Sequence, residues 1–341
     1  MFDRLLNTAR RLLGVPEARD GLDDRALAWH PGPRPEPQPS PLPPVHPRVL
    51  MIVHNPPVPS EGGRRLTEIF GWNDPDRLAQ QYIADLAEAS GGYVRYQIVE
   101  RIAADWFPPK VDGFAYTPES FVRAWRTRQF HQPDRVDYQA QVRAFELVER
   151  YERGEFDEVW FFSFPYAGDY ESTMVGRGAF WCNSPPVAGT ERCSGRFVIM
   201  AFNYERGVDC MLENYGHRVE SIMSRVFERH PPEQNLWQLF TRYDLTPPGQ
   251  AQCGNVHFAP NSVRDYDWGN RRTVLSACDD WYTFPHLPGR FRPVSCDEWG
   301  GGDMRLHHLW WLAHLPRTTG ETYGVSNNWW QYVVNPNLVP D

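Results

Sequence analysis

Glu213, His217 and Glu220 lie in the most regular helix pattern of the chain, which runs from about Glu205 to Arg229. At about 100° per residue they fall with Ser224 inside a sector of about 60°, Cys210 beside it. Val208, Met211, Leu212, Tyr215, Val219, Ile222, Met223 and Val226 form an apolar face opposite. A helix held in a core by one face and carrying acid, imidazole and acid on the other can bind a divalent ion. Zinc heads the candidates. Such an ion acidifies a water for attack on an amide, ester or glycosidic bond. The same stripe also fits a solvated surface, with Arg206, Arg218 and Arg225 as ion-pair partners.

Further metal ligands have to come from elsewhere in the chain. His307 and His308 in MRLHHLWWLAH lead, because the Gly300–Gly302 loop runs straight into them; His257 in GNVHF and His54 after the first strand follow. Asp169 and Glu171 in PYAGDYES stand just past a buried strand, where they could position the water or shuttle its proton. With Glu220 they are the catalytic candidates. The His217–Glu220 H-x-x-E spacing resembles the first zinc-ligand pair of metallocarboxypeptidases, and the neighbouring residues do not otherwise match that family.

Two other functions use the same residues. A metal-free glycoside hydrolase would pair two of the carboxylates as acid and base. A non-catalytic carbohydrate- or cell-surface-binding protein would need only a cleft of flat rings. Trp310, Trp311, Trp329 and Trp330, with His54 and Asn55, are the expected substrate contacts, and the same tryptophans also suit core filling. Asp265, Asp267, Asp279 and Asp280 sit in loops that can hold calcium or form turns and caps. The expected partner is a small-molecule, peptide or glycan substrate.

Composition excludes more than it selects. A net charge of −8 is the wrong sign for a nucleic-acid partner. No apolar run is long enough to cross a membrane, and phosphate-loop, dinucleotide and nucleophile-elbow motifs are absent. The compartment stays open between cytoplasm and export without a recognisable signal. The six cysteines include Cys182 and Cys193, which bracket a loop that a disulfide would suit; free buried thiols fit equally.

The order of elements predicts an α/β fold, a mostly parallel sheet flanked by helices with a loop- and Trp-rich C-terminal elaboration. Residues 1–30 read as an amphipathic segment, with possible peripheral surface contact through residues 1–14. Residues 31–47 hold nine prolines and read as a semi-rigid linker. The α/β body spans 48–230 and the aromatic-rich elaboration 231–341. Strands are expected at Arg48–Val53, Tyr93–Arg101, Glu158–Phe164 and Phe197–Phe202, and helices at Asp74–Ala89, Pro118–Arg128, Tyr138–Arg153 and Glu233–Tyr243. Ligands of open α/β sheets sit beyond the carboxyl ends of the strands, which singles out His54-Asn55, Tyr166–Met174 and Asn203-Tyr204.

Overall fold

The computed structural model of the protein describes residues 40–340. The amphipathic segment 1–30, its possible surface contact and the first part of the proline-rich linker lie outside them. Five strands form the central sheet: β1 (Arg48–His54), β2 (Gln97–Ala104), β3 (Glu158–Ser163), β4 (Ser172–Gly176) and β5 (Arg196–Asn203). Their order is β2-β1-β3-β5-β4. The first four in that row run parallel, and β4 closes one edge antiparallel to β5. Runs such as LMIV and VWFF are apolar throughout because helices cover both faces of a parallel sheet.

The alternation of side chains divides the interior in two. Met51, Val53, Trp160, Phe162, Met200 and Phe202 enter one core with α1 (Pro75–Ala89) and α5 (Val208–Val226). Leu50, Ile52, Phe161, Ile199 and Ala201 enter the other with α3 (Tyr138–Ala144) and α4 (Leu147–Glu152). Asp74 caps α1 by accepting from the Arg77 amide, and Pro75 fills its first turn, as the sequence predicts. A further helix, α2 (Pro118–Thr127), starts on a Thr117 cap.

Helix α5 is locked in rotation by a buried ion pair. The Arg218 guanidinium lies 2.7 Å from the Glu158 carboxylate, both groups being almost solvent-free. Arg218 also donates to the Val333 carbonyl, and the Trp160 indole donates to Glu158. Arg218 therefore serves the core and not the Glu213–Glu220 stripe.

Several boundaries differ from the sequence reading. Residues 138–153 form two helices, because Glu146 takes a left-handed conformation (φ 51°) between them. Ser172–Gly176 is a strand where a loop is expected. The end of the proline-rich stretch is part of the body: Val45 exchanges hydrogen bonds with Tyr93 and Arg95, and Leu42 packs on the core. Beyond residue 230 come α6 (Leu236–Phe240), α7 (Met304–Ala313), α8 (Trp329–Val334) and two short hairpin ribbons. Their Trp281, Trp299, Trp311, Trp329 and Trp330 join the same core as Trp160. All six cysteines are free thiols. Among the described residues no helix is long and apolar enough to cross a membrane.

Candidate metal centre

Helix α5 carries Glu213 and His217 one turn apart, and a loop from residue 253 to 268 crosses directly over them. The crossing is close because residue 216 is glycine: a Cβ there would stand 2.4 Å from Val256 Cγ2. Three indole and carboxylate contacts pin the loop. Trp311 donates to the Gly254 carbonyl, Trp268 donates to the Val256 carbonyl, and the Val256 amide donates to Glu220. Asn255 turns the chain by accepting from the amides of His257 and Phe258. The result sets His257 against the stripe of α5.

The Nε2 atoms of His217 and His257 are 3.0 Å apart, and Glu213 Oε1 is 3.1 Å from His257 Nε2. On the far side of each ring Nδ1 meets a carboxylate, Glu220 at 2.9 Å for His217 and Asp265 at 3.0 Å for His257. Two imidazoles thus turn their Nε2 lone pairs and one carboxylate inward, each ring oriented from behind by an acid. That is the carboxylate–histidine arrangement by which proteins fix metal-binding imidazoles. Bonds of about 2.1 Å meeting at 90° to 109° place donor atoms about 3.0–3.4 Å apart; the two spacings from His257 Nε2 match that range, and all three donors lie within 4.8 Å of one another. Three protein ligands leave coordination free for water or substrate, as in catalytic sites.

Charge supports the same reading. Burial opposes protonation of His217, but the hydrogen bond and charge of Glu220, then the charges of Glu171 and Glu213, outweigh it and push its pKa up to about 9. Burial would raise Glu213, yet the hydrogen bond from His257 and the surrounding imidazoles hold it below the ordinary carboxylate value. The neighbouring carboxylates favour positive charge beside the two rings.

Glu213 also lines a cavity of about 500 Å³ at the carboxyl ends of β3 and β5, together with Ser163, Asp169, Glu171, Asn203 and Cys210. Two of the three loops that the strand-end rule singles out therefore wall it.

Comparison with protein family models, with curated proteins and with solved structures finds no match for this chain.

The sequence-predicted residues divide into three groups. Glu213 and His217 converge with His257, the second-choice histidine. Glu220 stands behind His217 and orients it, so it faces neither the ion position nor the cavity. Glu171 lies 3.9 Å from His217 Nε2, accepts from the Asn183 amide and has its pKa raised by burial. Asp169 lines the same cavity; burial pushes its pKa up to about 6 against the pull of Ser163 and Lys110.

His307 and His308 are fully buried outside the converging group, against the rings of Trp268 and Trp299. Helix α7 turns them into the aromatic core. Desolvation takes His308 down to about 4 even though the Glu213 charge pulls the other way. Trp311, Trp329 and Trp330 have no exposed surface and fill the core instead of stacking on a substrate, while the half-buried Trp310 packs on Trp299 and His314. His54 is fully buried beneath the sheet end, and Asn55 is tied to Thr67; neither lines the cavity. Asp265, expected in a calcium-type loop or turn, instead stands behind His257, 3.0 Å from its Nδ1.

A second group, Cys278, Asp279 and His314, also brings ligand-type atoms together. Here the Arg292 guanidinium grips Asp279 at 2.5 and 2.7 Å and Glu298 at 2.7 Å. The arginine supplies the positive charge that these acids need.

Proposed function

We propose that the protein is a metal-assisted hydrolase that cleaves an amide, ester or glycosidic bond in a small-molecule, peptide or glycan substrate. The observation that carries the proposal is the convergence of His217 Nε2, His257 Nε2 and Glu213, with both Nδ1 atoms held by acids. A divalent ion bound there would supply an acidified water and a Lewis acid for the scissile bond. Zinc, manganese and iron all accept two imidazoles and a carboxylate.

Around that position the chain provides the rest. Glu171, across from His217, is placed to take the proton of the attacking water, and its raised pKa brings it nearer the working range of a general base. Asp169 offers a second carboxyl on the same cavity wall. The cavity admits part of a substrate while the 253–268 loop covers the histidines.

Elemental analysis of the purified chain tests this directly, beside a Glu213→Ala/His217→Ala double variant. About one equivalent of zinc, manganese or iron in the first and none in the second is the expected result. No metal in either, after incubation with each ion, would end the proposal.

A further inference from the structure

Behind the cavity wall two buried side chains, His54 and Gln141, lead to the half-buried Asp169, and the metal site uses none of the three as a ligand. His54 Nδ1 faces the Trp106 carbonyl at 3.1 Å, and His54 Nε2 lies 2.9 Å from the Gln141 amide oxygen position. The amide nitrogen position of Gln141 lies 3.3 Å from Asp169 Oδ1. A half-turn of the amide exchanges its oxygen and nitrogen without moving anything else, so its neighbours decide its orientation.

His54 has no exposed surface, and the rings of Trp106, Phe145 and Phe161 surround it at 4.9, 5.9 and 5.8 Å. No acid touches it, so it is neutral, with one ring proton. The Trp106 carbonyl can only accept, which puts that proton on Nδ1. Nε2 is then a bare lone pair and needs a donor. The Gln141 NH2 must face His54, and the Gln141 carbonyl must face Asp169. Two oxygens meeting there require a proton between them.

We infer that His54, through the orientation it imposes on Gln141, holds Asp169 as a protonated carboxylic acid at neutral pH. The competing arrangement, an imidazolium at His54 and a carboxylate at Asp169, has the same proton count. It leaves a cation buried among aromatic rings and a desolvated carboxylate with only the Ser163 hydroxyl and the Gln141 amide to replace water.

The other groups facing Asp169 do not reverse this. The Lys110 ammonium spends its donors on Asp134 and the carbonyls of Tyr166 and Ala167. Asp134 and the Tyr138 hydroxyl are the remaining titratable neighbours, and the Asp134 charge favours the protonated form. Burial raises the Asp169 carboxyl in the same direction, up to about 6 with the Gln141 amide donating to it, and turning that amide removes the donation that holds it down.

Resting on the hydrolase reading, this makes Asp169 the general acid and His54 and Gln141 its positioning residues. Asp169 gives its proton to the leaving oxygen or nitrogen as the bond breaks. The proton that Glu171 takes from the attacking water is passed on to Asp169, which restores both carboxyl groups.

Nitrogen-15 NMR of the full chain labelled at histidine tests the inference, with the His54 signals identified by their loss in His54→Phe. A protonated Nδ1 and a bare Nε2 are expected between about pH 6 and about pH 8. Carbon-13 labelling of aspartate, with Asp169→Asn for assignment, should show Asp169 protonated through about pH 7. Its titration should move down by at least about one unit in His54→Phe, where the amide is free to donate. An imidazolium or an Nε2–H form at His54, an Asp169 already ionised at about pH 6, or no downward shift in a folded His54→Phe overturns it. Should His54→Phe not fold, Gln141→Met identifies the His54 signals by their displacement, and the wild-type spectra decide. None of these readouts depends on metal or turnover, so failure of the hydrolase reading shows in the elemental analysis alone.

Discussion

His217 and His257 approach edge to face, at 81° between ring planes, with their Nε2 atoms 3.0 Å apart. Two imidazole nitrogens come that close only when a proton or a cation lies between them. The acids behind the rings, Glu220 and Asp265, keep each Nδ1 protonated and so leave both Nε2 atoms available as ligands.

Weakening those rear contacts should loosen the metal without removing a ligand. Glu220→Gln and Asp265→Asn are each expected to cost about 10–100-fold in metal affinity. Competition with a chromophoric chelator measures it. Affinities equal to wild type in both variants would mean that the rings are held by packing alone.

Metal uptake should also release a proton. With its pKa pushed up to about 9, His217 is protonated in the metal-free chain at neutral pH and must lose that proton to coordinate. Apparent affinity should therefore rise about tenfold per pH unit until about pH 9 and then level. The sign for stability is opposite. Because the folded pKa exceeds the ordinary 6.5, the contribution of this group to the metal-free fold is complete below that value and lost as pH rises through about 9. Calorimetric titration in two buffers of different ionisation heat counts the protons, and zero released at neutral pH would contradict the assignment.

Gly216 should matter for metal although it touches none. Alanine at this helix position gains about 1 kcal/mol of intrinsic propensity, but its Cβ would stand 2.4 Å from Val256 Cγ2 and push the His257 loop outward. Gly216→Ala is expected to lower metal affinity by about tenfold or more while the helix stays intact, and Gly216→Ala/Val256→Ala to recover most of it. Loss that persists in the double variant would show a different cause.

Much of the frame was legible because its signals are local. LMIV, VWFF and FVIMAF are continuous apolar runs bounded by turns, and a strand buried on both faces has no other pattern. The Ser172–Gly176 edge strand was not, since its polar start is satisfied sideways: Ser172 and Thr173 donate to the carbonyls of Cys182 and Pro185. The break at Glu146 carries no glycine or proline to announce it. The same limit divides the candidate metal centre. Glu213 and His217 share a helix, so their spacing reveals them. His257 joins them across a loop crossing that depends on Gly216, on the loop's own Trp268 and on the distant Trp311. His307 and His308 had the more suggestive neighbours, and aromatic packing claimed them instead.

Lys110, the one lysine in the chain, is buried with its ammonium holding the Tyr166 and Ala167 carbonyls at the cavity wall. The folded surface therefore presents no lysine amine to acylating reagents. Modification of this single side chain requires the wall segment to let go, so its labelling rate counts the openings of the cavity, and a bound ligand that clamps the segment would register as chemical silence.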